Sequence, residues 1–290
     1  MRPAIQESSP PHLRISSLPF YFLECLILLI VVLALGCSSE QALPAITPTT
    51  NIEKVTLYTS PAMQPLLTYL VGEFTRQYAL LQFEVLSLPS DTLPEHLTNR
   101  QLNYYLTSSL PNDPTLWVAP VGLDALVFIV HPSNPINSLT LAQIRGIYNG
   151  ELTNWSQLGG EDGAITVYIQ EVTSEPHREL SHLVLGDSPI SSSARVAPSL
   201  NALAQQIATD PHAIGYVNLS QLPTGVKALA LEQSHPTYEN VAQLNYPLRL
   251  NLYLVGLQEP INLYRLFVGW LQGGSGQAYL GAWYTRPASS

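Results

Sequence analysis

Side chains able to do covalent or metal chemistry are sparse in this chain. His131, His177, His212 and His235, four of its seven histidines, show no metal-ligand spacing. Ser, His and Asp are all present, but no pattern brings them together. The chain contains no Gly-x-Ser-x-Gly elbow, no phosphate-gripping Gly-Lys loop and no His-Glu-x-x-His helix. A metal site, a cofactor and an enzymatic activity are therefore not expected. The thiols are limited to Cys25 and Cys37.

Cys37 takes its chemistry from what precedes it. Arg2 and Arg14 lie ahead of a short apolar run, residues 26–36 (LILLIVVLALG), and small Gly36 sits directly before the cysteine. A positive flank, a brief apolar core and a small-residue exit describe a secretory signal rather than a membrane span. The Gly-Cys ending resembles a bacterial lipobox, although Ala34 stands where Leu is usual and Leu33 lies one place earlier. That resemblance implies signal cleavage and a diacylglycerol group on Cys37. Residues 1–37 are thus expected to be a lipoprotein signal segment, and the body to lie outside the cytoplasm, anchored to a bacterial cell membrane by lipid. A single N-terminal membrane anchor and plain secretion are the alternatives. Cys25 would leave with the signal, so no disulfide framework and no cysteine-ligated metal site remain.

The elements that follow must position any site. Residues 38–51 (SSEQALPAITPTTN) are small, polar and proline-bearing, which suits a flexible tether. Residues 55–58 (VTLY) read as a strand, broken at Thr59, Ser60 and Pro61. Leu66, Leu67, Leu70, Val71 and Phe74 recur at helical spacing, and residues 83–86 form a second strand. This is a strand–helix–strand unit of the parallel-sheet kind. Residues 125–130 (ALVFIV) are a continuous apolar run typical of a buried central strand. Thr140 is a plausible N-cap for a helix carrying Leu141, Ile144 and Tyr148, ended by Asn149 and Gly150. Strands over 165–169, 213–217 and 248–255 alternate with helices over 203–208 and 261–271. The fold class is α/β. A formal charge of −9 with only 11% charged residues argues against nucleic acid as a partner. No apolar run after Cys37 is long enough to span a bilayer.

Residues 138–150 (SLTLAQIRGIYNG) and 152–160 (LTNWSQLGG) resemble the signature of phosphate-type periplasmic binding proteins of ABC importers. Residues 120–135 look like that family's crossing strand, 210–217 (DPHAIGYV) like its Ile-Gly-Tyr segment, and 246–249 (YPLR) like the return crossing. The 270–272 and 275–277 segments resemble its closing helix. The resemblance implies a two-lobed periplasmic binding protein fold with two hinge crossings. Residues 52–125 and 248–290 would form lobe 1 and residues 126–247 lobe 2, with the ligand held between them. It further implies a small oxyanion ligand, phosphate or a relative, an ABC permease as partner, and a monomer.

The family catches its anion on short Ser, Thr and Gly loops at helix N-termini. Carried onto this chain, the resemblance assigns ligand contacts to Thr59 and Ser60 in the first loop, Ser90 in the second, Thr107 and Ser108 in the third, and Ser174 with Arg178 in the fourth. The chain also departs from the pattern. Pro61 removes an N–H donor, and Ser108 stands where an Asp often accepts the phosphate proton. Gln170 replaces the anion-pairing Arg, Glu175 replaces a Gly, and Pro176 replaces a Thr. A Glu175 carboxylate in the first helical turn is expected to repel an incoming anion, at a cost of about 4 kcal/mol for like charges about 4 Å apart at an effective dielectric near 20. His177 or Arg178 could offset it by turning inward.

Bland readings stand beside these. Thr59, Ser60 and Ser174 are the residue types that simply cap helices, and Glu175 with Pro176 makes a stable helix start without a ligand. Asp124 is expected to be a structural polar group near the hinge, and Tyr148 and Trp155 to be core. The alternative function is a surface-anchored scaffold or sensor whose phosphate pocket has degenerated.

Overall fold

β1 (Lys54–Thr59) alternates as a half-buried strand should, with Val55, Leu57 and Thr59 turned inward. The computed structural model describes residues 54–285, so the expected signal segment, the expected lipidation site at Cys37 and the expected tether lie outside the described residues. Helix α1 (Gln64–Gln77) carries Pro65 in its first turn and buries Leu66, Leu67, Leu70, Val71 and Phe74. β2 (Gln82–Ser87) returns parallel to β1, completing the expected crossover unit. A short α2 (Leu93–Thr98), which no periodicity announced, leads to the fully buried β3 (Tyr104–Thr107) beside β1.

β4 (Trp117–Val130) is longer than the apolar run at 125–130, because its first half is only partly buried and mixes Pro120, Gly122 and Asp124 among apolar residues. The chain continues through β5 (Ser138–Leu139), α3 (Leu141–Tyr148), a 3₁₀ turn (Trp155–Leu158) and β6 (Thr166–Ile169). It then passes through α4 (Glu175–Leu180), a π turn (Ser181–Leu185), β7 (Arg195–Val196), α5 (Leu200–Thr209) and β8 (Ala213–Asn218). After β9 (Lys227–Ala228), β10 (Ala230–Leu231) and α6 (Tyr238–Ala242) come β11 (Arg249–Gly256), α7 (Asn262–Gln272) and α8 (Gly274–Thr285). Among the described residues, no helix is long and apolar enough to cross a membrane.

Local chemistry fixes several of these boundaries. Thr140 closes a capping box with Gln143, receiving the Gln143 N–H on Oγ1 at 3.1 Å and donating its own N–H to Gln143 Oε1 at 2.8 Å. Gly150 follows the helix at φ +86°, a conformation glycine adopts without steric cost.

The main sheet runs β2-β1-β3-β11-β4-β8-β6-β7, with β9 also on β4. β4 changes partner along its length. Residues 117–125 pair antiparallel with β11, and Leu126 to Val130 pair antiparallel with β8. At the junction, Leu126 N–H donates to Leu248 O at 3.0 Å and Tyr246 Oη to Leu126 O at 3.0 Å. Separate hydrophobic cores lie on either side. One gathers β4's second half with β8, α3 and α5, and includes Tyr148 and Trp155. The other packs α1, α7 and α8 against β1, β3 and β11. The α/β architecture is thus two-lobed, with β4 and the Leu248–β11 segment as its two crossings. Tyr148 and Trp155 are core residues, and the Trp155 indole N–H donates to His212 O at 2.9 Å.

Candidate functional site

The loops after β1 and β3 and the start of α4 meet between the lobes. Ser60 follows β1, where Pro61 ends the strand, and its carbonyl receives the N–H groups of Met63 (3.1 Å) and Gln64 (3.0 Å) as α1 begins. Thr107 closes β3 and Ser108 follows it. From the other lobe, β6 ends at Ile169, and Ser174 caps α4 by accepting the His177 N–H at 3.3 Å. That cap directs the first residue of α4, Glu175, into the junction, where only 1% of its surface is exposed.

Three donors of lobe 1 converge on the Glu175 carboxylate. Ser60 Oγ donates to Oε2, Thr107 Oγ1 donates to Oε1 at 2.7 Å, and the Ser108 N–H donates to Oε1 at 3.3 Å. Ser108 Oγ donates to Glu179 Oε1, one turn further along α4. A fifth bond crosses nearby, from Ser90 Oγ to Thr173 O at 3.0 Å. The hydroxyl loops carried over from the family resemblance therefore come together, and they hold carboxyl oxygens of the protein itself. The expectation that Glu175 would repel an anion is refined: its own carboxyl group occupies the cradle.

The remaining candidates lie elsewhere. Thr59 donates its hydroxyl to Leu106 O at 2.9 Å and so ties β1 to β3, a structural duty. Ser174 serves as the α4 cap. Arg178 turns back, donating Nη1 to Thr173 O at 3.2 Å, and does not reach the Glu175 carboxylate. His177 sits against Tyr216, its Nδ1 3.2 Å from the phenol oxygen, and burial pushes its pKa down. Neither side chain offsets Glu175 by turning inward, as the sequence had allowed. Gln170, at the position of the family's Arg, spends its amide on Tyr216 O at 2.9 Å.

Glu179 is the residue that sequence reasoning missed. The signal was present, because Glu175 and Glu179 are four apart and share a helix face. Its Oε2 is buried without a hydrogen-bond partner. Burial, then the Glu175 charge, raises its pKa well above the ordinary value, against the lowering effects of the Ser108 bond and Arg178. Burial also pushes Tyr105 up to about 12, with Glu175 contributing. Asp124 is fully buried and accepts from Ala125 N (2.8 Å), Ser220 N (3.0 Å) and Ser220 Oγ (2.5 Å). Its pKa is raised to about 6 by burial, which outweighs those bonds. It staples β4 to the turn after β8, a structural post near the crossing.

Outside the carboxylates a pocket of about 430 Å³ opens, lined by Pro61, Ser90, Gln170, Ser174, Pro176 and Leu200 among others. None of its lining residues is Lys, Arg or His. Among the described residues, no group of three His, Cys, Asp or Glu side chains is arranged to hold a metal ion.

Residues 44–274 match the family described as PBP superfamily domain. The sequence is 27% identical to the phosphate-binding protein PstS of Borreliella burgdorferi, over 46% of this chain and 51% of that protein. It is 30% identical to PstS of Bacillus subtilis, over 45% of this chain and 43% of that protein. The chain thus spans about half the length of these curated relatives. The fold resembles that of an ABC-type phosphate transport receptor from Vibrio cholerae, with a TM-score of 0.68 and 23% identity over 79% of this chain and 98% of that one.

Proposed function

The chain belongs to the PBP superfamily domain family, and from that premise we propose that it is the substrate-binding component of an ABC-type importer for phosphate or a related oxyanion. In this reading the solute lies between lobe 1 (residues 52–125 and 248–290) and lobe 2 (residues 126–247), and a membrane permease receives it from there. Lipid on Cys37 anchors the protein at the extracytoplasmic face. The protein binds and hands over its solute without transforming it. The relatives named phosphate-binding protein support the ligand class. The observation that carries the reading is the cradle itself: Ser60 Oγ, Thr107 Oγ1 and Ser108 N converge on two oxygens of one carboxylate, an arrangement that suits two oxygens of a tetrahedral anion equally well. Ser90 and Ser174 line the adjoining pocket. Titration calorimetry and thermal shift with phosphate, sulfate, molybdate and tungstate test it. Heat and a raised melting temperature with one of them are expected, and silence with all four counts against it.

One observation favours a second reading, a scaffold or sensor on the same fold with a filled pocket. Glu175 already satisfies the donors that an oxyanion would need. On this reading the wild type is silent towards phosphate, and Glu175→Gly combined with Pro176→Thr gains phosphate binding.

A further inference from the structure

We infer that Glu175 and Glu179 form an internal clasp: two carboxylates of lobe 2 occupy the hydroxyl and amide donors of lobe 1 and hold the cleft closed with no solute in it. A hinged binding protein normally closes because a ligand contacts both halves at once, and the closed state gains only as much as those contacts differ between states. Here the contacts are covalently part of lobe 2. Ser60, Thr107 and Ser108 on one side bond Glu175 and Glu179 on the other, and Ser90 adds a bond to Thr173 O. Each is an interlobe bond of the kind a solute would supply.

Covalent attachment makes the occupant difficult to dilute away. A side chain held on α4 presents itself at an effective concentration that a free anion matches only when abundant. The setting also suits a permanent occupant. Glu175 and Glu179 are both buried, at 1% and 5% exposure. Arg178 faces Thr173 rather than the cradle, and no cation lines the adjoining pocket to draw a free anion past Glu175. Free oxyanion therefore enters only by displacing the Glu175 carboxylate, and closure of the lobes does not report solute.

The test is an interlobe distance measured on the full chain in detergent. Spin or fluorescent labels go on exposed Glu95→Cys in α2 and exposed Asp187→Cys beyond α4, with Cys25→Ser and Cys37→Ser to remove competing thiols. The wild-type clasp is expected to give one short distance, the same with and without inorganic phosphate. Glu175→Ala with Glu179→Ala is expected to lengthen and broaden it. A wild type that is long without phosphate and shortens with it overturns the inference, and so does a double variant whose distance is unchanged. The wild-type comparison alone decides if the double variant does not fold. Adding phosphate to the opened variant separates this inference from the oxyanion reading. If it recloses, both stand; if it stays open while the wild type is closed, the clasp stands and the oxyanion reading falls.

Discussion

Ser108 donates its backbone N–H to Glu175 Oε1 at 3.3 Å, across 67 residues of sequence and across the boundary between two hydrophobic cores. With Thr107 and Ser60 it gives that carboxylate three donors. The same three donors define what this cleft is able to hold, and removing their acceptor has consequences for stability before any solute is considered.

Glu175→Ala leaves Ser60, Thr107 and Ser108 facing an empty space with no acceptor. Each lost bond to a charged group is worth about 1.5–3 kcal/mol, and relief of the Glu175–Glu179 repulsion offsets part of the total. A net destabilisation of about 2 kcal/mol is expected from urea unfolding in phosphate-free buffer. Phosphate restores part of that loss in the variant by binding the folded state, and stabilises the wild type less, because there Glu175 must first leave the cradle.

Arg178 carries the positive charge nearest in sequence to the cradle, yet its guanidinium bonds Thr173 O. Arg178→Gln is therefore expected to change the affinity for any oxyanion by less than about threefold, the range typical of exposed charges. Calorimetry on the wild type and the variant measures this directly. A loss of a hundredfold or more would place Arg178 in the site after all.

Much of this architecture is legible in the residues alone, for physical reasons. The 3.6-residue spacing of Leu66, Leu70 and Phe74, the Thr140 cap and the unbroken apolar run at 125–130 are local signals, and each yields its element. The first eight residues of β4 carry no periodic signal, because Pro120, Gly122 and Asp124 interrupt it; the family resemblance alone marks residues 120–124 as part of a crossing strand, and pairing with β11 makes the segment one. The convergence of Ser60, Ser90 and Ser108 followed from a family resemblance and not from spacing. Where the Glu175 side chain points could not be read at all. A carboxylate in a first helical turn satisfies the same local rules whether it faces solvent or a neighbouring lobe, and only the tertiary arrangement of β1, β3 and α4 decides between them. Glu179 escaped notice because its partner Ser108 lies 71 residues away.

Glu179→Gln is expected to stabilise the fold, and increasingly so as pH rises. The amide oxygen can still accept from Ser108 Oγ, and the variant has no buried charge to create. In the wild type the folded pKa is raised by burial and by Glu175, so the stability this group contributes is full below its unfolded pKa and is lost as pH climbs through the folded one. Urea midpoints of the two proteins should lie closest at pH 5 and diverge by pH 8. A gap that narrows with rising pH would contradict the assignment.

Asp124 makes the same argument with a definite window. Its folded pKa is raised to about 6 from an ordinary value of 3.8, so its contribution is complete below about pH 4 and fades as pH rises to about 6. The difference corresponds to about 3 kcal/mol of stability that is present at low pH and lost by neutral pH, relative to an unshifted carboxyl. Asp124→Asn keeps an acceptor for Ala125 N and Ser220 N and turns an amide donor towards Ser220 Oγ, a hydroxyl able to accept. The wild type is thus expected to lose stability between pH 4 and pH 6 at this group, while the Asn variant loses about 3 kcal/mol less over the same interval. Denaturant unfolding at half-unit pH steps measures both curves. Parallel curves would mean that Asp124 stays ionised in the fold and that the Ser220 staple, not burial, governs it.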